Sequence, residues 1–456
     1  MKDSSPGVLF SVPYEIAAVR PLRQTTRQER EEALIAAYYN TELVPQDLIY
    51  VDLRTDSGVS SLSTAQLAKL LGLGSIESEM GMALEGNRAF VTLSERFQRI
   101  FDFPYILPVA QGRAAERIWA KLHVKKGTIV AGNMLFPSTR FHIESNGGKV
   151  VDVISDDAHD LYSAEMFKGN IDPNKLEAVF QEHGSAVCCV FAELCVNSCG
   201  GHPVSLANLK AIKAVTAARR VPLFLDACRI LENSYLIKQR EPGYQNRSVR
   251  EIVNETCSLA DGCTMSALKD FLVPAGGVLA LRDEGTYQKA SVQSFLDGSQ
   301  MSSMAMEAMA VALQEIFAGD AYVAGRVEQV SYLWRRLKDG IAVLTPPGGH
   351  AVFIDVRNFL PHVGVENYPT EALAAFIYHM SGVRVSKGPP LAPSQAARGV
   401  ELLRLAVPAR RYVQGHMDDV VEAIQYAYSR RNEIKGMTKI ENPGRSKFEP
   451  ALFASL

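Results

Sequence analysis

Short apolar runs alternate with helical stretches through the middle of the chain, and this alternation constrains the fold more than any other feature. The apolar runs span residues 128–134, 150–154, 186–194, 221–226 and 277–281. Between two of them, Leu206, Leu209 and Ile212 recur at helical spacing. Such a βα pattern predicts an α/β fold with a largely parallel sheet that helices cover on both faces.

The length of the chain predicts more than one domain. Its 456 residues exceed the size at which a single hydrophobic core stops growing. Thr26 and Glu29 form a capping-box pattern that predicts a helix from there to about Tyr39. After about residue 310 the apolar periodicity becomes mostly helical, broken by a predicted strand at 348–356 and a loop rich in proline and glycine at 388–399. This C-terminal part is a candidate second domain.

Composition argues against several classes of partner. The net charge is −2, with 48 Lys and Arg against 50 Asp and Glu, so we expect no nucleic acid partner. The N-terminus lacks a signal-peptide pattern and no run of 18 apolar residues occurs, which predicts a cytoplasmic protein with no membrane partner. The seven cysteines lack metal-binding spacing, so we expect reduced, buried thiols and no metal site.

Lys269 and Asp226 predict the chemistry of the site. Lys269 ends an apolar, strand-like stretch and precedes the pair Gly276 and Gly277. A lysine withdrawn from water is expected to have a lowered pKa, as Schiff-base chemistry requires. Asp226 ends another buried-strand pattern, and an aspartate opposite a pyridinium nitrogen keeps that nitrogen protonated. Although either residue alone could be a solvated strand end, together they predict a pyridoxal-phosphate enzyme.

Gln111, Gly112 and Arg113 predict a phosphate site. They precede the helical run 114–121, and the backbone N–H groups at a helix start bind anions. The alternative is an ordinary helix N-terminus with a solvated arginine.

Several longer motifs carry a resemblance to a known family. They are Thr55-Asp56-Ser57-Gly58, Asn197-Ser198-Cys199-Gly200-Gly201-His202-Pro203-Val204-Ser205, Glu232-Asn233-Ser234-Tyr235, Gly348-Gly349-His350-Ala351-Val352-Phe353 and Arg404-Leu405-Ala406-Val407-Pro408. From about Arg20 to the C-terminus, the chain resembles the β-eliminating lyases, a family that includes tyrosine phenol-lyase and tryptophanase. The chain resembles the tyrosine phenol-lyase branch more closely, as indicated by Ala131-Gly132-Asn133-Met134 and Ala260-Asp261-Gly262-Cys263.

The resemblance implies a fold-type-I architecture like that of aspartate aminotransferase, with a mostly parallel seven-stranded sheet in the large domain. It implies an N-terminal arm at 1–19, a large pyridoxal-phosphate-binding domain at 55–310 and a smaller α/β domain from 20–54 and 311–456. It also implies a homo-oligomer, either a dimer or a tetramer.

The resemblance further implies roles for individual residues. The cofactor phosphate is expected to bind Gln111, Gly112, Arg113 and Ser266. The cofactor ring is expected to contact Phe136, Asn197, Arg229, Asp226 and Lys269. The substrate is expected to contact Arg404, Thr55 and Ser57. Lys269, Asp226 and Arg229 form the expected catalytic set, and Arg404 is expected to bind the substrate carboxylate. Taken alone, Phe136 could be a core residue, Arg404 a surface residue, and Thr55 and Ser57 loop caps. His202 and His350 are interpreted as structural.

The departures from the family lie on the substrate side. Leu84 stands where the family has its general-acid tyrosine, Met82 where it has a cation-binding glutamate, and Leu268 and Pro137 replace a lysine and a threonine. Because leucine cannot supply a proton, we expect β-elimination or β-replacement on a modified amino acid rather than on tyrosine or tryptophan. The alternatives are an aminotransferase or racemase in specialised metabolism and a non-catalytic binding or scaffold homologue.

Overall fold

A computed structural model describes residues 15, 19–71, 86–388, 398–441 and 449–455. Most of the predicted N-terminal arm, the positions of Met82 and Leu84, and most of the predicted loop at 388–399 lie outside the described residues.

Helices line both halves of the described chain. In order they are α1 (Arg27–Ala36), α2 (Thr64–Leu70), α3 (Arg88–Phe101), α4 (Gly112–His123), α5 (Pro137–Ser145), α6 (Pro173–His183), α7 (Leu206–Arg219), α8 (Ile230–Arg240), α9 (Val249–Ser258), α10 (Glu284–Leu296), α11 (Ser303–Ile316), α12 (Ala321–Leu337), α13 (Val356–Phe359), α14 (Pro369–Ser381) and α15 (Gln414–Ser429).

The strands fall into one large sheet and three small ones. In order they are β1 (Val51–Asp52), β2 (Tyr105–Val109), β3 (Ile129–Gly132), β4 (Lys149–Asp152), β5 (Val187–Glu193), β6 (Leu223–Asp226), β7 (Gly262–Ser266), β8 (Gly277–Leu281), β9 (Ala351–Asp355), β10 (Val383–Arg384), β11 (Ser386–Lys387), β12 (Leu402–Ala406), β13 (Met437–Ile440) and β14 (Leu452–Ser455).

The large sheet has seven strands in the order β2-β8-β7-β6-β5-β3-β4. The strands from β4 to β7 are parallel, and β8 runs antiparallel to its two neighbours. This mixed but mostly parallel sheet confirms the predicted fold class. The apolar runs predicted as strands form β3, β4, β5, β6 and β8, because their side chains are buried between helices on both faces.

Helix α1 begins as predicted and ends early. The Thr26 hydroxyl accepts the Glu29 N–H, and the Glu29 side chain accepts the Thr26 N–H, which completes the capping box. The helix ends at Ala36 rather than near Tyr39 because Tyr38 and Tyr39 have φ angles of 50° and 54°, a left-handed conformation that α-helix cannot continue.

Two hydrophobic cores divide the molecule. The larger surrounds the seven-stranded sheet and includes residues of α11 and the start of α12, as far as Val327. The smaller joins α1 and β1 to the rest of α12, β9, α14, β12 and α15. Helix α11 packs against α2 and α3, so the larger core extends past residue 310. The domain boundaries given above stay a prediction.

The topology brings the ends of several strands to one edge. In the parallel part of the sheet, Glu193 of β5 pairs in register with Asp226 of β6, which pairs with Thr264 of β7. From the smaller core, β12 pairs antiparallel with β9 and carries Arg404 opposite Phe353. Polar side chains from both cores therefore meet at the carboxyl edge of the sheet, where open α/β sheets bind ligands.

The seven cysteines are free thiols, of which six are buried and Cys188 is half-buried. Within the described residues, no helix has the length and apolar character needed to cross a membrane.

Candidate active site

A cleft of about 360 Å³ opens at the carboxyl edge of the sheet. Its lining residues are Thr55, Asp56, Ser57, Gln111, Gly112, Arg113, Glu116, Phe136, Ser138, Asn197, Cys228, Arg229, Ser266, Leu268, Lys269 and Arg404. The cleft thus brings together the site residues predicted from the sequence, except for Asp226, which is buried beside it.

Lys269 is half-buried and lies over an aromatic ring. Its Nζ is 5.6 Å from the centroid of the Phe136 ring. Burial by itself lowers the pKa of Lys269, but Cys228, Asp226 and Asp56 raise it, and the resulting pKa lies above that of an ordinary lysine. The predicted lowering of this pKa is therefore wrong, because carboxylates from two separate segments surround the ammonium. Lys269 is positively charged at neutral pH in this form of the protein.

Asp226 is buried beside the cleft. Its side chain is 4% exposed, and its Oδ1 accepts the backbone N–H of Cys228 at 3.0 Å. The Cys228 thiol in turn accepts the N–H of Ser266 at 3.2 Å. These contacts fix the ends of β6 and β7 relative to each other, so that Asp226 is held near Lys269.

The start of helix α4 lines the cleft without a side-chain cap. Gln111 is the N-cap residue, and its side chain makes no capping hydrogen bond. A Cβ at Gly112 would lie 2.9 Å from the Cβ of Ser266, so only glycine permits this close approach of the helix to β7. An anion at this position can accept hydrogen bonds from the first turn of α4.

Asn197 and His350 form a buried pair. The His350 Nε2 lies 3.2 Å from the Asn197 Oδ1. Burial and the neighbouring Arg229 lower the pKa of His350 well below its usual range, so the ring is neutral and its Nε2–H donates to the amide oxygen. This bond directs the amide NH₂ of Asn197 away from His350, and Asn197 lines the cleft.

A chain of buried ion pairs supports Arg229. The Arg229 Nε and Nη2 donate to the two carboxylate oxygens of Asp56 at 3.1 and 3.0 Å. Arg326 of α12 donates to the same carboxylate at 3.0 Å and also pairs with Glu232. Burial by itself raises the pKa of Asp56, but Arg229 and Arg326 hold it well below its usual range. Asp56 is a site residue to which the sequence assigned no role, although it lies within one of the motifs that carry the resemblance.

Arg404 reaches the cleft from β12. Its Nη2 donates to the backbone oxygen of Arg54 at 2.9 Å. Its Nε is buried and has no partner within the described part of the chain. A buried guanidinium donor without an acceptor indicates that a ligand anion belongs there.

Thr55 and Ser57 border the same side of the cleft. The Thr55 hydroxyl accepts the Ser57 N–H at 3.1 Å, so Thr55 also serves as the loop cap that the sequence allowed.

Glu116 is a second residue without a role assigned from the sequence. It lies on α4, is 5% exposed, and accepts the Ser138 hydroxyl at 2.6 Å. Burial and the neighbouring Asp226 raise its pKa to about 7. Glu116 lies one helical turn after Gln111-Gly112-Arg113. Helical spacing could therefore have identified it from the sequence as a residue of the same site.

The residues of the cleft fit pyridoxal phosphate. The uncapped start of α4 suits its dianionic phosphate, Asp226 suits a protonated ring nitrogen, and Lys269 over Phe136 suits a ring bound to lysine. Within the described residues, no group of three or more His, Cys, Asp and Glu side chains could hold a metal ion.

Solved structures define the class of fold. The serine palmitoyltransferase of Sphingomonas wittichii superposes with a TM-score of 0.65 at 13% identity and covers 89% of this chain and 97% of that one. The threonine aldolase of Leishmania major superposes with a TM-score of 0.60 at 14% identity over 83% and 99% of the two chains. At these identities the likeness shows the fold alone, which is the fold-type-I architecture predicted from the sequence.

Sequence comparisons then define the family. The β-eliminating lyase family profile matches residues 52–423. The tyrosine phenol-lyase of Symbiobacterium thermophilum is 41% identical over 97% of this chain and 98% of its own length. That of Clostridium tetani is 38% identical over 97% of each chain. The chain therefore belongs to the β-eliminating lyase family, and the predicted resemblance and class of enzyme, a lyase like tyrosine phenol-lyase, are confirmed.

Proposed function

We propose that this lyase binds pyridoxal phosphate in the cleft through Lys269 and uses it to eliminate or replace the β-substituent of an amino acid. One observation carries the proposal. A single cleft of about 360 Å³ brings together a lysine over an aromatic ring, a helix start without a side-chain cap and, within the described residues, an arginine with an unpaired buried donor.

Pyridoxal phosphate, when bound, supplies an electron sink for negative charge at the Cα of an amino acid. Gln111, Gly112, Arg113 and Ser266 hold its phosphate, and Asp226 keeps its ring nitrogen protonated. Asn197 and Arg229 donate to its phenolic oxygen. Asp56 and His350 support this pair, because Asp56 binds Arg229 and His350 binds Asn197.

Arg404 binds the carboxylate of the amino acid. Its guanidinium lines the cleft together with Thr55 and Ser57, and a planar fork suits a carboxylate better than an ammonium would. The Nζ of Lys269, when it is free and neutral, would be the base that accepts the Cα proton.

The leaving group determines which substrate reacts. A poor carbon leaving group must be protonated as it departs, and a general acid contributes about 10²- to 10⁴-fold to such a step. Leu84 cannot supply that proton. We therefore propose a β-substituted amino acid with a self-sufficient leaving group, such as a thiolate, in place of tyrosine or tryptophan.

The test is incubation of the purified protein with β-substituted amino acids, including S-substituted cysteines and tyrosine, and mass spectrometry for pyruvate, ammonia and exchanged Cα hydrogen. We expect pyruvate from a substrate with a good leaving group, and Cα exchange with little phenol release from tyrosine. Leu84→Tyr is the matched variant and should increase phenol release. Rapid release of phenol by the unmodified protein would contradict the proposed substrate class, and a lack of pyruvate and exchange with all substrates would contradict the reaction.

We also propose that the enzyme is a cytoplasmic homo-oligomer, a dimer or a tetramer. The free thiols suit a reducing compartment. Val292, Phe295 and Leu296 at the end of α10 are 47%, 42% and 72% exposed, and a second subunit could cover them. Sedimentation velocity of the purified protein tests the oligomeric state, and a monomer at micromolar concentration would contradict it.

A further inference from the structure

Glu193 is a buried acid whose second oxygen has no partner. It is the last residue of β5 and is 3% exposed. Its Oε1 accepts the backbone N–H of Asn197 at 2.8 Å. Its Oε2 is buried and lacks a hydrogen-bond partner within the described residues. In the sheet, Glu193 pairs in register with Asp226, so two buried carboxyl groups lie on neighbouring strand ends beside the cleft.

A buried amide fixes the backbone of Glu193. The Asn133 side chain accepts the Glu193 N–H at 2.8 Å and donates to the Glu193 carbonyl at 3.1 Å. The side chain is held separately, by the hydrogen bond of its Oε1 to the Asn197 N–H.

A second negative charge at this position is costly. No lysine or arginine forms an ion pair with Glu193 in the part of the chain that the structure describes, and a buried carboxyl beside another carboxylate takes up a proton. Asp226, Arg229, Lys269 and Cys199 are the titratable groups that face it. Burial and Asp226 raise the pKa of Glu193 to about 8, against the smaller opposing effects of Arg229 and Lys269.

We propose that Glu193 is a positioning residue of the active site that holds a proton at Oε2 beside Asp226 while its Oε1 fixes Asn197. The proposal rests on the proposed function, in which Asp226 and Asn197 contact the cofactor. A neutral Glu193 adds no second negative charge beside Asp226. When Glu193 loses its proton, Asp226 gains a neighbouring negative charge, and a proton on the ring nitrogen is held more strongly.

Infrared spectroscopy tests the proton directly. Because Asp270 is another buried acid with a raised pKa, the signal is read as a pH difference spectrum. The C=O stretch of a protonated, buried carboxylic acid that is lost as the pH rises through about 8 is expected as a band in this difference spectrum of the purified protein. Glu193→Gln should remove this band. Glu116→Gln is the matched control, since Glu116 is also a buried acid with a raised pKa, of about 7, and should leave the band in place. A band that persists in Glu193→Gln would overturn the proposal.

The spectrum of bound pyridoxal phosphate tests the positioning role. The cofactor content of Glu193→Gln should equal that of the unmodified protein, because the amide can still accept the Asn197 N–H. The dependence of the cofactor absorbance on pH should differ between the two proteins, with a displaced midpoint or a missing step in the variant. Superimposable titration curves would overturn the positioning role.

Two further comparisons keep the outcomes separate. Glu193→Asp retains a carboxyl group and should show an infrared titration with a displaced midpoint. This variant replaces Glu193→Gln if the amide variant does not fold. An unchanged midpoint would overturn the proposal. The infrared titration can be read with or without cofactor. A protein that fails to bind pyridoxal phosphate but shows the Glu193 band would contradict the proposed function and leave the proton assignment supported.

Discussion

Lys269 shows how the surroundings of one residue determine its chemistry. Its segment places it at the end of β7, but Asp56 and Asp226 arrive from elsewhere in the chain and raise its pKa. We expect the Lys269 ammonium to balance the charge of these carboxylates until the protonated ring nitrogen of a bound cofactor takes over part of that role.

The attachment site is the first prediction at this scale. Borohydride reduction of the purified protein with pyridoxal phosphate, followed by peptide mapping, should place a pyridoxyl group on Lys269, because its Nζ lies 5.6 Å from the Phe136 ring centroid in the cleft. Lys238, which is paired with Asp320 at 2.7 Å, is the control and should remain unlabelled. A label on any lysine other than Lys269 would show that the site is misassigned.

The rate of attachment should depend on pH. The pKa of Lys269 is raised, so the neutral amine that attacks the cofactor is scarce at neutral pH. Its fraction increases about tenfold for each pH unit below the pKa. We expect the attachment rate, measured by stopped-flow absorbance after the cofactor has been removed, to rise steadily from pH 7 to 9. A flat or falling profile would mean that Lys269 is already neutral at pH 7.

Arg404 should affect substrate and not cofactor. Arg404→Ala removes a charge-assisted contact that forms only when substrate is present, and we expect kcat/KM to fall about 100-fold, corresponding to ~3 kcal/mol. The absorbance spectrum of the bound cofactor should not change. Arg357 is an exposed arginine on α13, and Arg357→Ala serves as the control. Loss of cofactor from Arg404→Ala would show that Arg404 binds the cofactor instead.

At the scale of elements, the contact between α4 and β7 forms the anion site. The helix can approach the strand because Gly112 has no side chain, and a Cβ there would lie 3.0 Å from the Ser266 Cα and 3.2 Å from the Met265 oxygen. Those atoms belong to the backbone of β7, which the rest of the sheet holds in place.

Gly112→Ala should therefore weaken cofactor binding. The added methyl group pushes the start of α4 away from Ser266, and we expect the dissociation constant of pyridoxal phosphate, measured by equilibrium dialysis, to increase roughly tenfold or more. Gly86→Ala is the control, since a Cβ at Gly86 meets no atom within 4 Å. Equal affinities in the two variants would contradict a phosphate site at this contact.

At the scale of the whole molecule, Asp56 connects the two cores. It follows β1, whose side chains pack in the smaller core, and it binds Arg229 at the start of α8 and Arg326 on α12. The carboxylate is 2% exposed, so solvent cannot replace it as a partner for the two guanidinium groups.

Asp56→Asn should destabilise the protein strongly. Breaking a buried ion pair costs about 3–5 kcal/mol because it leaves an unpaired buried charge, and here two arginines lose their shared partner. Urea denaturation measures the effect, with Asp47→Asn at an exposed position as the control. A loss of stability no larger than that of the control would show that Arg229 and Arg326 find other partners.

Much of the fold could be predicted from local pattern. The apolar runs became strands β3, β4, β5, β6 and β8 because burial on both faces of a parallel sheet requires continuous apolar sequence. The Thr26 capping box started α1 as predicted, since capping depends on residues three positions apart. The end of α1 was wrong because the left-handed conformations of Tyr38 and Tyr39 could not be read from helical periodicity.

The sequence by itself determined the family, the class of fold and the set of residues that meet in the cleft, because the motifs and the strand ends that carry them are local in the chain. The tertiary structure decided the charge states and supporting contacts. Asp56 raises the pKa of Lys269 although it lies more than two hundred positions away in the chain. His350 binds Asn197 from a distant segment, and Glu193 lies next to Asp226 only through strand pairing. Electrostatic interaction depends on distance through space and on burial, and neither is encoded in the spacing of residues along the chain.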